Sequence, residues 1–552
     1  MFQLGSSQDW TTYNLLLCHF LSTWNARSYE FATVLFTAAA FPQGLSAASW
    51  IGITTSLAII VFASSLGRWV DHAPSRLRTL LTTVSVNRVV VIAACVCWAI
   101  IITKDVQKET PTSTDAAIGT TDARPLKLHQ WKDAIFLLIL ALGILERLSR
   151  LANLISIERD WVPSMVAAGT TYKQQAPYDL SRLNAVMSRI DLICKLGSPI
   201  AISAFMSATN SPRLGAVLLI GLNFLTWPFE YWTARLVWQG NEQLRQEKVV
   251  DGSGVKECAI SGRNDGAGFT LHNLLDALKA TSGWIVQYGR SLQQYFGTEV
   301  WMPSLAMSSL HFSVLTFSST LIVFLVNSGF SMTLITWAEV LSAAFELSST
   351  FLFPWAVRLL GNNERTAYQP LSDGETTSTP NTPLPSTFSV HEAIQTHDSN
   401  STSQSQTAGV SRLGLLSITL TLLTLIPSVP AIWRISTTWP TTPNSPTAWQ
   451  THTATALLII ISVSASRLGR FTGSLCAQQL AQSCVGPASR STFAGTEASL
   501  ASTFGLAHYA ATVVWSSREE FRWVALSSVL VVAGGAGLYA FWLMGRGRLL
   551  GR

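Results

Sequence analysis

Residues 18–34 place polar groups where the chain is otherwise apolar. Asn25, Arg27 and Glu30 lie between the apolar runs 13–17 and 34–41. An ionised side chain at membrane depth costs roughly 2.5–3.5 kcal/mol even on insertion scales, so it faces a bundle interior or a watery cavity. Arg27 and Glu30 are three residues apart and share a helix face. Two readings stay open: the pair neutralises itself, or Glu30 offers a carboxylate to a cation pathway. Asn223, within the apolar run 221–227, is either an inter-helix hydrogen bond or a neutral oxygen ligand. His508 puts an imidazole in the middle of an apolar span. It is a hydrogen-bonded packing residue or a ligand for divalent iron, cobalt, zinc or copper. His19 and His311 are weaker candidates of the same kind.

A second set of charges marks the ends of apolar runs. Asp71 closes Gly67-Arg68-Trp69-Val70-Asp71, with Arg76 and Arg78 just beyond. Asp160 lies in Ile157-Glu158-Arg159-Asp160-Trp161, and Arg189 and Asp191 lie in Ser188-Arg189-Ile190-Asp191. Their chemistry is that of a gate, with ion pairs broken and remade as helices move. Ordinary helix-end charges in water are the alternative. No enzyme signature is present: Gly-x-Ser-x-Gly, a phosphate-binding Gly loop, His-Glu-x-x-His and Cys-x-x-Cys are all missing. Nor do the seven cysteines form a metal or disulfide framework. Cys95 and Cys97 point to nearly opposite helix faces.

The elements that carry these groups must be membrane helices. The 552 residues are 48% hydrophobic and only 12% charged, whereas a soluble chain carries about 25% charged residues. Apolar runs long enough to cross a ~30 Å hydrocarbon layer recur. About twelve spans are expected, near 12–40, 45–66, 79–103, 133–156, 182–208, 213–238, 299–326, 331–359, 412–435, 451–482, 491–515 and 521–545. The fold class is therefore an all-α membrane protein, with six spans on each side of a polar stretch at 241–297. Two six-helix halves around a central cleft is the architecture of major-facilitator transporters, whose sites lie near the midplane. In such proteins the turn holding Asp71 acts as a gate latch. The expected organisation is a first half at 1–240, a cytoplasmic linker at 241–298 and a second half at 299–552. Within the linker, 268–296 reads as an amphipathic helix in the membrane interface. Within the second half, 361–411 is rich in Ser, Thr, Pro, Asn and Gln and reads as a disordered cytoplasmic loop.

Basic residues set the orientation. Arg68, Arg76, Arg78, Arg159, Lys173, Arg245, Lys248, Lys256, Arg263, Arg546, Arg548 and Arg552 agree with both termini in the cytosol. The 104–132 loop dissents, with Lys104, Lys108, Arg124, Lys127 and Lys132 on the expected outside. The net charge of +6 is thus an orientation signal and not a nucleic-acid footprint. No cleavable signal peptide is expected at the start.

These residues together resemble the ferroportin family of iron exporters, solute carrier family 40. The match runs through His19-Phe20-Leu21-Ser22-Thr23-Trp24 with Arg27, Phe31 and Ala32, then Trp69-Val70-Asp71, Glu158-Arg159-Asp160-Trp161 and Leu183-Asn184-Ala185 with Arg189-Ile190-Asp191. It continues at Asn223, Phe229-Glu230-Tyr231-Trp232, Ser282-Gly283-Trp284, Leu315-Thr316-Phe317 and Ala507-His508-Tyr509. The resemblance implies a major-facilitator fold that exports ferrous iron from the cytosol by alternating access, without a cofactor and as a monomer. It implies metal ligands at Glu30, Asn223, His508 and Ser319, and gating roles at Asp71, Asp160, Arg189, Asp191, Arg467 and Arg490. The chain departs from the pattern at Ala26, where animal members carry an aspartate, and at Glu30, where they carry a histidine. It departs again at Ser319 in place of a cysteine and at Ser474 in place of a gating aspartate. Three expectations follow in order: ferrous iron export across the plasma or vacuolar membrane, transport of cobalt, nickel or manganese, and a non-transporting membrane scaffold.

Overall fold

A computed structural model describes residues 7–41, 46–109, 125–171, 179–246, 248, 285–317, 319–328, 330–362, 390–437, 446–515, 517 and 519–550. Among these residues every regular element is helical. Lipid offers no hydrogen-bond partner to a peptide group, and a helix satisfies its own backbone within one segment. In the first part of the chain the helices are α1 (Ser7–Ala40), α2 (Ser46–His72), α3 (Arg76–Glu109), α4 (Pro125–Ile155), α5 (Val162–Thr171), α6 (Leu180–Thr209), α7 (Pro212–Gly240) and the single turn α8 (Glu242–Arg245). A π-helical turn, Ser156–Trp161, joins α4 to α5. Next come α9 (285–296), α10 (Trp301–Ser309) and α11 (Ser319–Asn327). The last group is α12 (Met332–Asn362), α13 (Val390–Leu425), α14 (Ser428–Thr437), α15 (Pro446–Cys484), α16 (Arg490–Val514) and α17 (Phe521–Leu550). Eight helices among the described residues are long and apolar enough to cross a membrane. Large side chains such as Phe224, Ile200 and Val513 face outward at 70–76% exposure, as a lipid-facing surface requires.

Two spans are interrupted. The run expected as one helix over 299–326 breaks after α10 into a 3-10 turn, Leu310–Phe312, and an extended stretch before α11. Ser313, Thr316 and Ser319 fall in or at the edge of this break, and such side chains compete for the backbone. The 412–435 run breaks at Pro427, which separates α13 from α14. Of the polar stretch 361–411, residues 390–411 belong to α13 while 363–389 lie outside the described residues. Of the linker helix expected over 268–296, residues 268–284 lie outside them as well. The remainder, α9, does not simply float in the interface. Its Tyr295 is 1% exposed and stacks on Phe493 with ring centroids 4.7 Å apart.

The chain divides into two compact units. The first comprises Met1–Gly169, Val186–Trp301 and Cys484–Val513. Here α1 packs on α7 and α3, and α4 packs on α3 and α2. Tyr29, Phe36, Trp98, Ile101 and Leu219 fill the core between them. Helix α16 crosses α2 at two glycines. A Cβ on Gly67 would sit 2.1 Å from the Ser491 carbonyl oxygen, and one on Gly495 would sit 2.2 Å from that of Ala63. Small residues let helix backbones touch in a membrane, where no hydrophobic drive separates protein from lipid. The second unit comprises Thr170–Ala185, Met302–Ser483 and Val514–Arg552. There α13 packs on α12 and α17, and Phe324 stacks on Phe521 at 4.1 Å.

Candidate functional site

In the first unit, the turn between α2 and α3 is tied down by named charges. Asp71 Oδ1 accepts from the Ser491 backbone N–H at 3.0 Å, and Oδ2 accepts from the Thr492 N–H and hydroxyl at 2.7 Å each. Asp71 thereby caps the N-terminus of α16, a helix far away in sequence, whose first amides have no partner of their own. Arg76 donates to Asp160 at 3.0 Å and to the carbonyls of Gln243 and Gln246 at 3.1 and 2.9 Å. Lys248 adds a second cation to Asp160 at 2.7 Å and donates to the Val70 carbonyl. Arg159 pairs with Glu497 on α16 at 3.1 Å. Arg490, at the head of α16, sits in the field of Asp71 and Asp160, with its Nε unpartnered. The structure thus places Asp71, Asp160 and Arg490 in one cluster of charges. It separates Asp191 from them: that carboxylate is held by Arg27, with two contacts at 2.9 Å. Arg189, also on α6, is half-buried.

The π-helical turn is what aims this network. It inserts an extra residue into the helical path, burying Asp160 and Trp161. Burial pushes the Glu158 carboxyl, in the same turn, up to about 7.

The expected metal ligands have other partners. Glu30 is 45% exposed and receives Arg27 at 3.1 Å, Arg150 at 2.9 Å and Arg147 at 3.8 Å. The i, i+3 pairing anticipated from spacing is present, but two further guanidinium groups from α4 join it. Asn223 is fully buried, and its Oδ1 accepts from Arg88 at 3.0 Å. Arg88 is itself locked to Glu230 by two parallel contacts, at 3.0 and 2.5 Å, with both side chains at 1% exposure or less. His508 is buried, at 6% exposure, against the edge of Tyr509. Ser319 begins α11, and its side chain lies outside the described residues. Arg467, in the second unit, pairs with Glu346 at 2.7 Å. Among the described residues no three His, Cys, Asp or Glu side chains converge on a metal-sized site.

Several of these partners escaped the reading of the sequence. Arg88 stands alone in an apolar run, and that alone signals a buried counter-charge. Glu346 carries the same signal in α12. Arg147 and Arg150 are legible only as a face of α4, because their partner lies 120 residues away.

Comparison with known proteins fits this geometry. A family model described as Ferroportin1 (FPN1) matches residues 10–365 and 400–532. "Solute carrier family 40 member 1" of Oryza sativa subsp. japonica is 24% identical over 527 residues, covering 95% of this chain and 89% of its own. "Solute carrier family 40 member 2" of Arabidopsis thaliana is 24% identical over 62% of this chain, which spans only 64% of that relative. Among solved structures, a bacterial homologue of the iron transporter ferroportin in its outward-facing state superposes with a TM-score of 0.66 at 17% identity, over 96% of this chain and 99% of its own. That likeness shows the fold. With the family model spanning both helical blocks, the chain belongs to the ferroportin family and is a multi-pass membrane metal transporter, not an enzyme.

Proposed function

We propose that this protein moves ferrous iron out of the cytosol by alternating access, with both termini cytosolic, in the plasma or vacuolar membrane. The observation that carries the reading is the way Glu30 is held. Its carboxylate is nearly half exposed and bound by exchangeable guanidinium groups, so an arriving divalent cation can displace them without opening a sealed core. His508 supplies the strongest neutral donor, and Ser319 a weak oxygen. Asn223 serves the Arg88–Glu230 pair and acts on the pathway through it. The Asp71, Asp160 and Arg490 cluster is the gate, breaking when the cytosolic side opens. Export needs binding strong enough to load and weak enough to release, which this thin donor set favours.

The test is release of ferrous iron from preloaded proteoliposomes by wild type, Glu30→Ala and His508→Ala. Wild type is expected to move iron while both variants insert but fail. Unimpaired release by both variants would remove the proposed pathway. Ala26 and Ser319 favour a second reading, because they withdraw a carboxylate and a thiolate from the donor set. Under that reading the same vesicles move cobalt, nickel or manganese and leave iron behind.

A further inference from the structure

Arg27 stands between two carboxylates. Its Nη1 donates to Glu30, three residues on in α1, at 3.1 Å. Its other edge grips Asp191 on α6: Nη2 donates to Oδ1 and Oδ2 at 2.9 Å each, and Nε donates to Oδ1 at 3.3 Å. One guanidinium thus ties together two acids that lie on different helices. All three side chains meet water, at 29% exposure for Arg27, 45% for Glu30 and 39% for Asp191.

The two acids are unequally provided for. Glu30 also has Arg150 at 2.9 Å and Arg147 at 3.8 Å. Among the described residues Asp191 is ion-paired with Arg27 alone. Arg150 acts on Asp191 only from beyond contact, and Glu158, another charged neighbour, has the same sign. Without Arg27, Asp191 is left with an unmatched charge at membrane depth, which resists passage through the closed middle of a transport cycle. A divalent ion held between Glu30 and Asp191 removes that charge as Arg27 does. Net transport by alternating access needs both the loaded and the empty carrier to cross. Here one can cross holding the ion and the other holding the guanidinium.

We propose that Arg27 is a tethered stand-in for the cargo. Asp191 is the second carboxylate that receives the ion at Glu30, the ion takes the place of Arg27 between them, and Arg27 closes back on the pair when the ion leaves. The inference rests on Glu30 lying on the ion pathway. Its test compares two fluxes from the same proteoliposomes, using labelled ferrous iron or cobalt, whichever wild type moves. Net release into external chelator requires the empty carrier to return, whereas exchange against unlabelled ion outside does not. In Arg27→Gln the ratio of net release to exchange falls roughly 100-fold, the rate equivalent of one unmatched charge at membrane depth. Arg27→Lys restores much of the ratio, because an ammonium supplies the charge without the fork. Arg27→Gln with Asp191→Asn also restores it, but half-saturation for the ion rises about tenfold or more, since even outer-shell partners of a metal are worth about 10–100-fold. An unchanged ratio in Arg27→Gln, or loss of both fluxes together as a merely structural ion pair would cause, overturns the proposal. If Arg27→Gln does not insert, an unchanged half-saturation in the double variant overturns it instead. Glu30→Ala that still moves the ion removes the pathway reading itself. An inactive Glu30→Ala beside an unaffected Arg27→Gln removes this inference alone.

Discussion

Arg88 and Glu230 are the most completely sequestered ions described, and they behave as one group. Removing one partner leaves the other charged in a dry core, which costs roughly 3–5 kcal/mol, whereas replacing both with apolar residues is often neutral. Arg88→Met is therefore expected to lower the unfolding temperature in detergent steeply, and Arg88→Met with Glu230→Leu to recover most of the loss. If the double variant is no better than the single one, the pair is not the unit of stability. Glu158 gives a pH dependence. Its carboxyl titrates near 7 in the folded chain against the usual 4.5, because burial disfavours its anion. The folded state thus holds the proton longer than the unfolded state, so stability falls as pH rises from about 4.5 to 7. Glu158→Gln removes that slope, which denaturation at a series of pH values measures. At this scale the sequence was half legible. Glu30 and its i, i+3 partner could be read from spacing, but a guanidinium from another helix leaves no local trace.

The α2–α16 crossing shows what elements add. Gly67 and Gly495 bring two backbones into contact, Ser64 and Thr496 share a hydrogen bond at 3.1 Å, and Asp71 closes the joint. Asp71→Ala uncovers the Ser491 and Thr492 amides and is expected to cost about 1–3 kcal/mol. Hydrogen exchange over residues 490–494 measures it, as faster exchange confined to the start of α16. Gly495→Leu drives a side chain into the Ala63 carbonyl and should disrupt the crossing outright. Apolar periodicity made α2 and α16 visible in advance, and Asp71 stood out by its setting. That the Asp71 carboxylate caps α16 was not visible, because capping across more than 400 residues follows from packing alone. The break between α10 and α11 was missed for a related reason. Hydropathy averages over a window and cannot register a few unwound residues inside an apolar run.

For the molecule as a whole, composition alone dictated a multi-pass helical protein. Orientation rests on basic residues, and reporters can check it. A glycosylation acceptor inserted in the 104–132 loop is expected to be modified, and Asn400, in a natural Asn-Ser-Thr sequence, to remain bare. The reverse pattern would turn the protein over and reverse the direction of transport. The joint at Asp71 bears on how the whole molecule moves. Its three bonds all end on two consecutive residues of one helix, and beneath them the two backbones touch at glycines. Such a contact has no half-released position: pulling the end of α16 away by one bond length releases every bond together. The joint should therefore behave as a switch with sparse intermediates. Under a stretching force it should part in one abrupt step, where a long interface of interlocked side chains would yield by degrees.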